Sequence, residues 1–473
     1  MSASAERQGR FGLAFGPRFF LGLILGLVWI GPAWWDPRFI WAMAAWDVLV
    51  VAAWFIDLRR LPEPGTLEVS RVWFEPLSQS CTSPVAIEVS HAGGGIDLRL
   101  EDDVPPSLSA ELPKADLHVS PSGPAEGMTR ARATYSVQPV ERGDIELGRV
   151  ALRYQSPLKL AERWASAGLT QTVRVYPNLQ ESRRHAFYLM RSRQIAIEKR
   201  FKRQPGMGRE FESLRDYRQG DELRDVCWTA TARRARLVSK VYRPERSQAV
   251  VIVVDAGRLM LARISPMLDS GQRADSQTQN PPSKMSLAKL DYAVTAALSL
   301  AEVALYSGDS VGLLAYGRRP QARLGGARGA SHLRDFVERL ALVKGELVEA
   351  DHAGAADLLL GEQKRRSLVV WLTDLAETAA TPEVIESAAR LVGRHLVVFA
   401  AIGQPEMGQL MARRPESAEE MYRYIAALEM VQRRELLLRR LRQQGAMALE
   451  LVPGQLAAGI VNQYLQIKER SLL

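Results

Sequence analysis

Two uninterrupted apolar runs stand near the start of the chain, FFLGLILGLVWIGPAWW at Phe19–Trp35 and FIWAMAAWDVLVVAAWFI at Phe39–Ile56, separated only by Asp36-Pro37-Arg38. A helix rises about 1.5 Å per residue and a hydrocarbon core is about 30 Å thick, so each run is long enough to cross one. The short break permits a transmembrane helical hairpin over residues 1–60, with Trp34, Trp35 and Trp41 as interfacial aromatics at one membrane face. Arg7, Arg10 and Arg18 precede the first run and Arg59 and Arg60 follow the second, which places both ends in the cytoplasm. The expected location is the inner (cytoplasmic) membrane, two-pass, with membrane lipid as one partner. A cleaved signal peptide fits poorly, because the second run follows at once and no small-residue cleavage site divides them. Asp47 sits near the middle of the second run, where an ionisable group is costly. It is either satisfied inside the hairpin or a helix–helix contact in an oligomer.

The chain of 473 residues is long enough for two soluble domains beyond the apolar runs. A hydrophobic fraction of 47% with 24% charged residues excludes a mainly disordered protein. The formal charge of +9 suits nucleic acid, anionic lipid or an acidic protein, and its sign does not choose among them. Cys81 and Cys227 are far apart and outside any Cys/His cluster, so neither a disulfide framework nor a zinc site is signalled.

From residue 61 to 180 short β-rich runs (VAIEVS, IDLRLE, ATYSVQPV, IELGRVALRY, QTVRVYP) alternate with Gly, Pro, Asp and Ser clusters. This pattern predicts a β-sandwich-like domain. His91-Ala92-Gly93-Gly94-Gly95 is similar to an esterase oxyanion loop, but no nucleophile motif accompanies it, and it reads as a connection between strands.

After residue 250 strands alternate with helices, which predicts an α/β fold with a doubly wound parallel sheet over 250–473. The expected strands are Val250–Val254, Val311–Tyr316, Leu368–Thr373, His395–Ala401 and Met447–Leu451. The expected helices are Leu287–Tyr306, Ser331–Val343, Pro382–Val392, Glu416–Gln444 and Pro453–Lys468. The polar segment Ser265–Ser283 reads as a mobile loop.

Catalytic patterns fail on context. Gly308-Asp309-Ser310-Val311-Gly312 has the G-x-S-x-G form of a nucleophile elbow, yet it runs from a helix into a strand, the reverse of what lifts a serine above a sheet. Gly325-Gly326-Ala327-Arg328-Gly329 lacks the Lys-Ser/Thr pair of a phosphate loop and reads as a loop. With six histidines and none paired at metal spacing, no catalytic constellation is expected.

Asp255 and Asp374 each end an apolar strand, and Thr373 stands beside the second. Ligands of parallel sheets gather at that edge, and paired carboxylates with a hydroxyl are oxygens that Mg²⁺ would take. This arrangement resembles the von Willebrand factor A domain, whose metal-dependent adhesion site carries Asp-x-Ser-x-Ser after its first strand. In Asp255-Ala256-Gly257-Arg258-Leu259 glycine and leucine replace both serines, and Arg258 brings a cation nearby, so the site reads as degenerate. The alternative is an aspartate that caps a turn through backbone N–H groups.

Residues 181–249 lead into that domain. Within them Gly208, Glu210, Phe211, Leu214, Arg215, Tyr217, Gly220, Asp221, Arg224, Trp228, Ala232 and Arg233 resemble the signature of the domain-of-unknown-function-58 family. The likeness extends through Glu141–Leu160, Val173–Leu179 and the C-terminal QYLQIKERSLL. It implies a membrane hairpin, a β domain and a von Willebrand A-like domain, and a membrane-tethered adaptor or chaperone component linked with a MoxR-type AAA+ ATPase. By the same resemblance it implies no catalyst. In Arg191–Arg246 Lys and Arg outnumber Asp and Glu about two to one, and guanidinium forks pair with carboxylates and phosphates alike. Three readings stay open: internal ion pairs with Phe211, Tyr217 and Trp228 buried against the sheet, a docking face for an acidic partner, and nucleic-acid binding through Arg200, Lys202, Arg203 and Arg209.

Overall fold

The computed structural model describes residues 2–7, 12–91, 95–111, 114–119, 129–178, 210–218, 223–243, 248–264, 286–375 and 381–470. The chain divides into two compact units, Met1–Tyr176 with Ala274–Ser283 and Pro177–Arg273 with Lys284–Leu473.

In the first unit the apolar runs are helical but unequal. Helix α1 (Pro17–Gly26) passes through a 3₁₀ turn at Leu27–Trp29 into a short helix, Ile30–Ala33. Pro32 has no N–H to offer the carbonyl four residues back, at Val28, and the tightened turn falls there. Helix α2 (Phe39–Arg60) is continuous. Among the described residues one helix, Phe39–Thr66, is long and apolar enough to cross a membrane, with a mean hydropathy of 2.0 and 6% of its apolar window buried; Pro17–Ala33 is shorter. The two runs touch: Trp46 donates its indole N–H to the Gly22 carbonyl at 2.9 Å. A Cβ at Gly26 would lie 2.8 Å from Trp46 and 2.9 Å from the Asp47 carboxylate, so glycine is what lets α2 approach and sets Asp47 against the first run.

The last turn of α2 enters the β core. Asp57, Leu58 and Leu61 are buried, and Asp57 Oδ2 accepts from Ser156 Oγ at 2.7 Å, Ala161 N at 2.9 Å and Leu160 N at 3.2 Å. Antiparallel strands build that core, with alternation such as Ile96, Leu98 and Leu100 inward along Ile96–Asp102. Ser2–Arg7, for which the sequence carries no strand signal, pairs with both Glu68–Trp73 and Ala161–Ala167 and joins the strands into one ten-stranded sheet. The core holds a buried ion pair, Arg71 on Asp102 at 2.5 and 3.0 Å, and Tyr135 donates its hydroxyl to the same carboxylate.

The second unit is built on β1 (Ala249–Asp255), β2 (Ser310–Tyr316), β3 (Pro320–Ala327), β4 (Leu368–Thr373), β5 (Leu396–Ile402) and β6 (Met447–Leu451). Their order is β3-β2-β1-β4-β5-β6. All neighbours are parallel except β2 and β3, which form an antiparallel edge. Because β1 is apolar from Ala249 to Val254 it can be covered on both faces. Val250, Ile252 and Val254 join a core with α3 (Lys289–Tyr306), α4 (Ala330–Ala341) and α9 (Leu456–Glu469). Val251 and Val253 join another with α5 (His352–Glu362), α6 (Thr381–Val392) and α8 (Ala418–Gln443).

The antiparallel β3 lies where only a loop was expected at Gly325–Ala327; its polar, mostly exposed residues carry no alternation to read. Helix α5 and α7 (Pro405–Ala412) were likewise unforeseen. Leu287–Ala288 pairs as strand with Arg263–Ile264, so α3 begins at Lys289. The expected mobile loop Ser265–Ser283 lies outside the described residues.

Candidate functional site at the C-terminal edge of the parallel sheet

Register brings the strand-end residues together. Val254 of β1 is opposite Leu372 of β4, so Asp255 and Thr373 end neighbouring strands and Asp374 follows. All three are buried, Asp255 at 2% exposure and Asp374 at 5%. Asp255 Oδ2 accepts the Thr373 hydroxyl at 2.6 Å, and Oδ1 accepts the Gly257 N–H at 2.7 Å, the geometry of a turn cap. A Cβ on Gly257 would lie 2.9 Å from both Cβ and N of Ala350, so this close turn has no space for a larger residue. Burial pushes the Asp255 carboxyl above the usual carboxylate range, and nearby Asp374 adds to it; His352, Thr373 and the Gly257 N–H act the other way.

Two cations hold Asp374. Lys289 Nζ lies 2.5 Å from Oδ2, and Arg434 Nη2 lies 2.7 Å from Oδ1. Lys289 is the first residue of α3, 1% exposed, and its ammonium also lies 3.5 Å from Gln404 Oε1. A positive charge at a helix N-terminus opposes the macrodipole by about 0.3–1 kcal/mol, so Asp374 has to offset both that and the burial of the ammonium. Arg434 projects from α8, donates Nε to the Leu375 carbonyl at 3.2 Å and pairs through Nη1 with Glu450 at 3.1 Å.

Mg²⁺ needs several unclaimed oxygens near ideal octahedral positions. Here both oxygens of Asp374 face cations, both oxygens of Asp255 accept protein hydrogen bonds, and Gly257 and Leu259 supply no hydroxyl. These residues do not fit the ion. Among the described residues no group of three or more His, Cys, Asp or Glu could hold a metal. The cation expected to disturb the site, Arg258, points elsewhere: it is about half exposed and pairs with Glu349 at 2.8 Å. Lys289, unremarked in the sequence, takes that part.

Beside Asp255 the Tyr316 hydroxyl accepts from Trp371 Nε1 at 2.7 Å and lies 2.7 Å from His352 Nδ1. Burial, reinforced by Asp255, holds the Tyr316 phenol well above its ordinary range, so it stays protonated. Next to Arg434, the residues Leu375, Gly403, Pro405, Met407, Met411 and Met430 line a cavity of about 330 Å³ at the ends of β5 and β6.

The signature residues form a different feature of this unit. Glu210–Asp216 pairs antiparallel with Val238–Arg243, and Trp228–Arg234 is a short helix between them. Arg215 and Tyr217 are half-buried. Trp228 is not buried against the sheet: it is 65% exposed at the first helical position, and Arg233 in the same helix is exposed too, because the short helix packs little of its surface. The side chains of Glu210, Phe211 and Arg224, and Asp221 and 200–209 as a whole, lie outside the described residues. Ser310 opens β2 after a turn at Gly308, whose φ is +83°, and lacks the strand-to-helix setting of an elbow. His91 ends a strand in the first unit, and residues 92–94 lie outside the described residues.

Residues 213–264 and 270–426 match the family described as protein of unknown function DUF58. No curated protein matches. The chain is similar to a conserved hypothetical protein, BatB, from Bacteroides thetaiotaomicron, at 14% identity over 47% of this chain and 100% of that one, with a TM-score of 0.30. It is also similar to a von Willebrand factor type A protein from Catenulispora acidiphila (14% identity, 48% and 43% covered, TM-score 0.26). An uncharacterized membrane spanning protein from Vibrio fischeri shares 13% identity over 46% and 99%, with a TM-score of 0.15.

Proposed function

We propose, starting from a chain whose residues 213–264 and 270–426 match DUF58, that the protein is a membrane-anchored, cytoplasm-facing adaptor that works by binding protein partners. The observation that carries this reading is α2: an apolar helix with 6% of its window buried, whose last turn is locked into a folded β unit through Asp57. Exposed surface of that length and composition costs about 25 cal/mol per Å² in water and is stable in lipid.

Residues 17–33 complete the hairpin in this reading, tilted or thinning the bilayer to suit their length. Trp34, Trp35 and Trp41, each at least 78% exposed, sit at the far interface. Arginines 18, 59 and 60 keep both ends, and both soluble units, on the cytoplasmic side. The second unit then acts as a doubly wound, von Willebrand A-like binding module without a metal. Its docking surface is the ribbon and its short helix, where Trp228, Arg233 and Arg234 are all exposed, a segment suited to an acidic protein. The family resemblance makes a MoxR-type AAA+ ATPase the partner of choice.

The test is affinity capture of the full chain from native membranes, with and without Mg²⁺ and ATP. Recovery of such an ATPase, lost in Trp228→Ala and Arg233→Glu variants that still insert in the membrane, is the expected result. Capture that returns no such ATPase overturns the partner assignment.

A further inference from the structure

We infer that Lys289 is the resident cation of the sheet edge: its ammonium, fixed between Asp374 and Gln404, supplies the charge that Asp374 demands. The edge therefore takes no divalent ion, and contacts made there are independent of one. The inference concerns the chemistry of the edge itself and stands apart from the identity of any partner.

Three features carry it. The ammonium is 1% exposed yet lies 2.5 Å from Asp374 Oδ2, and a tethered cation in a packed helix cannot be diluted away as a free ion can. Its backbone is fixed too: the Lys289 N–H donates to the Ala262 carbonyl at 3.0 Å, and Asp291 caps the helix start by accepting from Ala288 N at 3.1 Å. Arg434 brings a second positive charge to the other oxygen of Asp374 at 2.7 Å, so an added divalent ion would face two fixed cations.

The experiment uses the full chain in detergent or nanodiscs. Mn²⁺ titration followed by electron paramagnetic resonance is run on wild type and on Asp374→Asn, and thermal unfolding is followed with excess Mg²⁺ or with chelator. The expected result is that the two titrations coincide and that the wild-type midpoint ignores both additions. A saturable Mn²⁺ site present in wild type and lost in Asp374→Asn overturns the inference. As a second arm, Lys289→Ala is expected to lower the midpoint by several degrees, and the neutral pair Lys289→Met/Asp374→Asn to recover part of that loss. A Lys289→Ala protein that melts with wild type overturns it as well. If Lys289→Ala does not fold, the Mn²⁺ comparison decides alone.

Discussion

Replacing Asp57 with alanine should loosen the joint between the membrane helix and the β unit. One carboxylate oxygen accepts three hydrogen bonds, from Ser156 Oγ and from the backbone N–H groups of Leu160 and Ala161, at 2.7, 3.2 and 2.9 Å. Bonds to a charged acceptor contribute about 1.5–3 kcal/mol each, which sums to about 4.5–9 kcal/mol gross. The sum overstates the loss, because Asp57 is 1% exposed and, among the described residues, its Oδ1 is buried without a hydrogen-bond partner. Removing the carboxylate recovers that desolvation cost, leaving about 3 kcal/mol, mostly from the two stranded N–H groups. For a unit of this size that is about 6–12 °C in midpoint temperature. Asp57→Asn keeps one acceptor and should lose about 1–2 kcal/mol. The assay is thermal unfolding of the first unit in nanodiscs, with protease cleavage near Pro62 as a local readout. An Asp57→Ala protein within a degree of wild type, or an order in which Asn is worse than Ala, would refute the reasoning.

Thr373→Val leaves buried Asp255 Oδ2 without its 2.6 Å donor and should cost about 1–3 kcal/mol in urea unfolding, while Thr373→Ser should restore most of it; equal midpoints for Val and Ser would contradict this. Gly257→Ala sets a Cβ 2.9 Å from the Ala350 backbone, which cannot yield as a flexible side chain would, and a loss of about 1–3 kcal/mol is expected in the same assay. Burial, with Asp102, Asp255 and Asp309 respectively, raises the phenols of Tyr135, Tyr316 and Tyr464. Their folded pKa lies above the unfolded value of about 10, so the stability they contribute is complete below about pH 10 and is lost as pH rises through the folded values. In an absorbance titration these tyrosines should ionise only together with unfolding, and their free titration in folded protein would count against the packing described.

Much of the second unit could be read from residues alone, because β1, β2, β4 and β5 are short, largely continuous apolar runs that suit a sheet covered on both faces. The same reading located Asp255, Thr373 and Asp374, since strand ends in a parallel sheet share one edge. It did not locate what neutralises them. Lys289 and Arg434 stand in helices, where a lysine or arginine ordinarily reads as solvated, and both come from segments distant in sequence from Asp374. One signal was present: Lys289 is the sole basic residue in KLDYAVTAALSLAEVALY. Arg258 misled because closeness in sequence to Asp255 says nothing of direction, and its side chain turns outward to Glu349. Trp228 misled because a large aromatic suggests a core, whereas its short helix leaves it 65% exposed.

The orientation of the anchor is open to a direct measurement with native residues. Cys81 is buried; Cys227 is half-buried, and its hydrogen bond with Thr229 holds the thiol below its ordinary range, which favours the reactive thiolate. A membrane-impermeant maleimide applied to intact right-side-out membranes and to inverted vesicles should label Cys227 only in the inverted ones, with Cys227→Ser as the blank. Labelling of Cys227 in right-side-out membranes, or release of the full chain by a carbonate wash, would contradict a cytoplasm-facing protein held by α2.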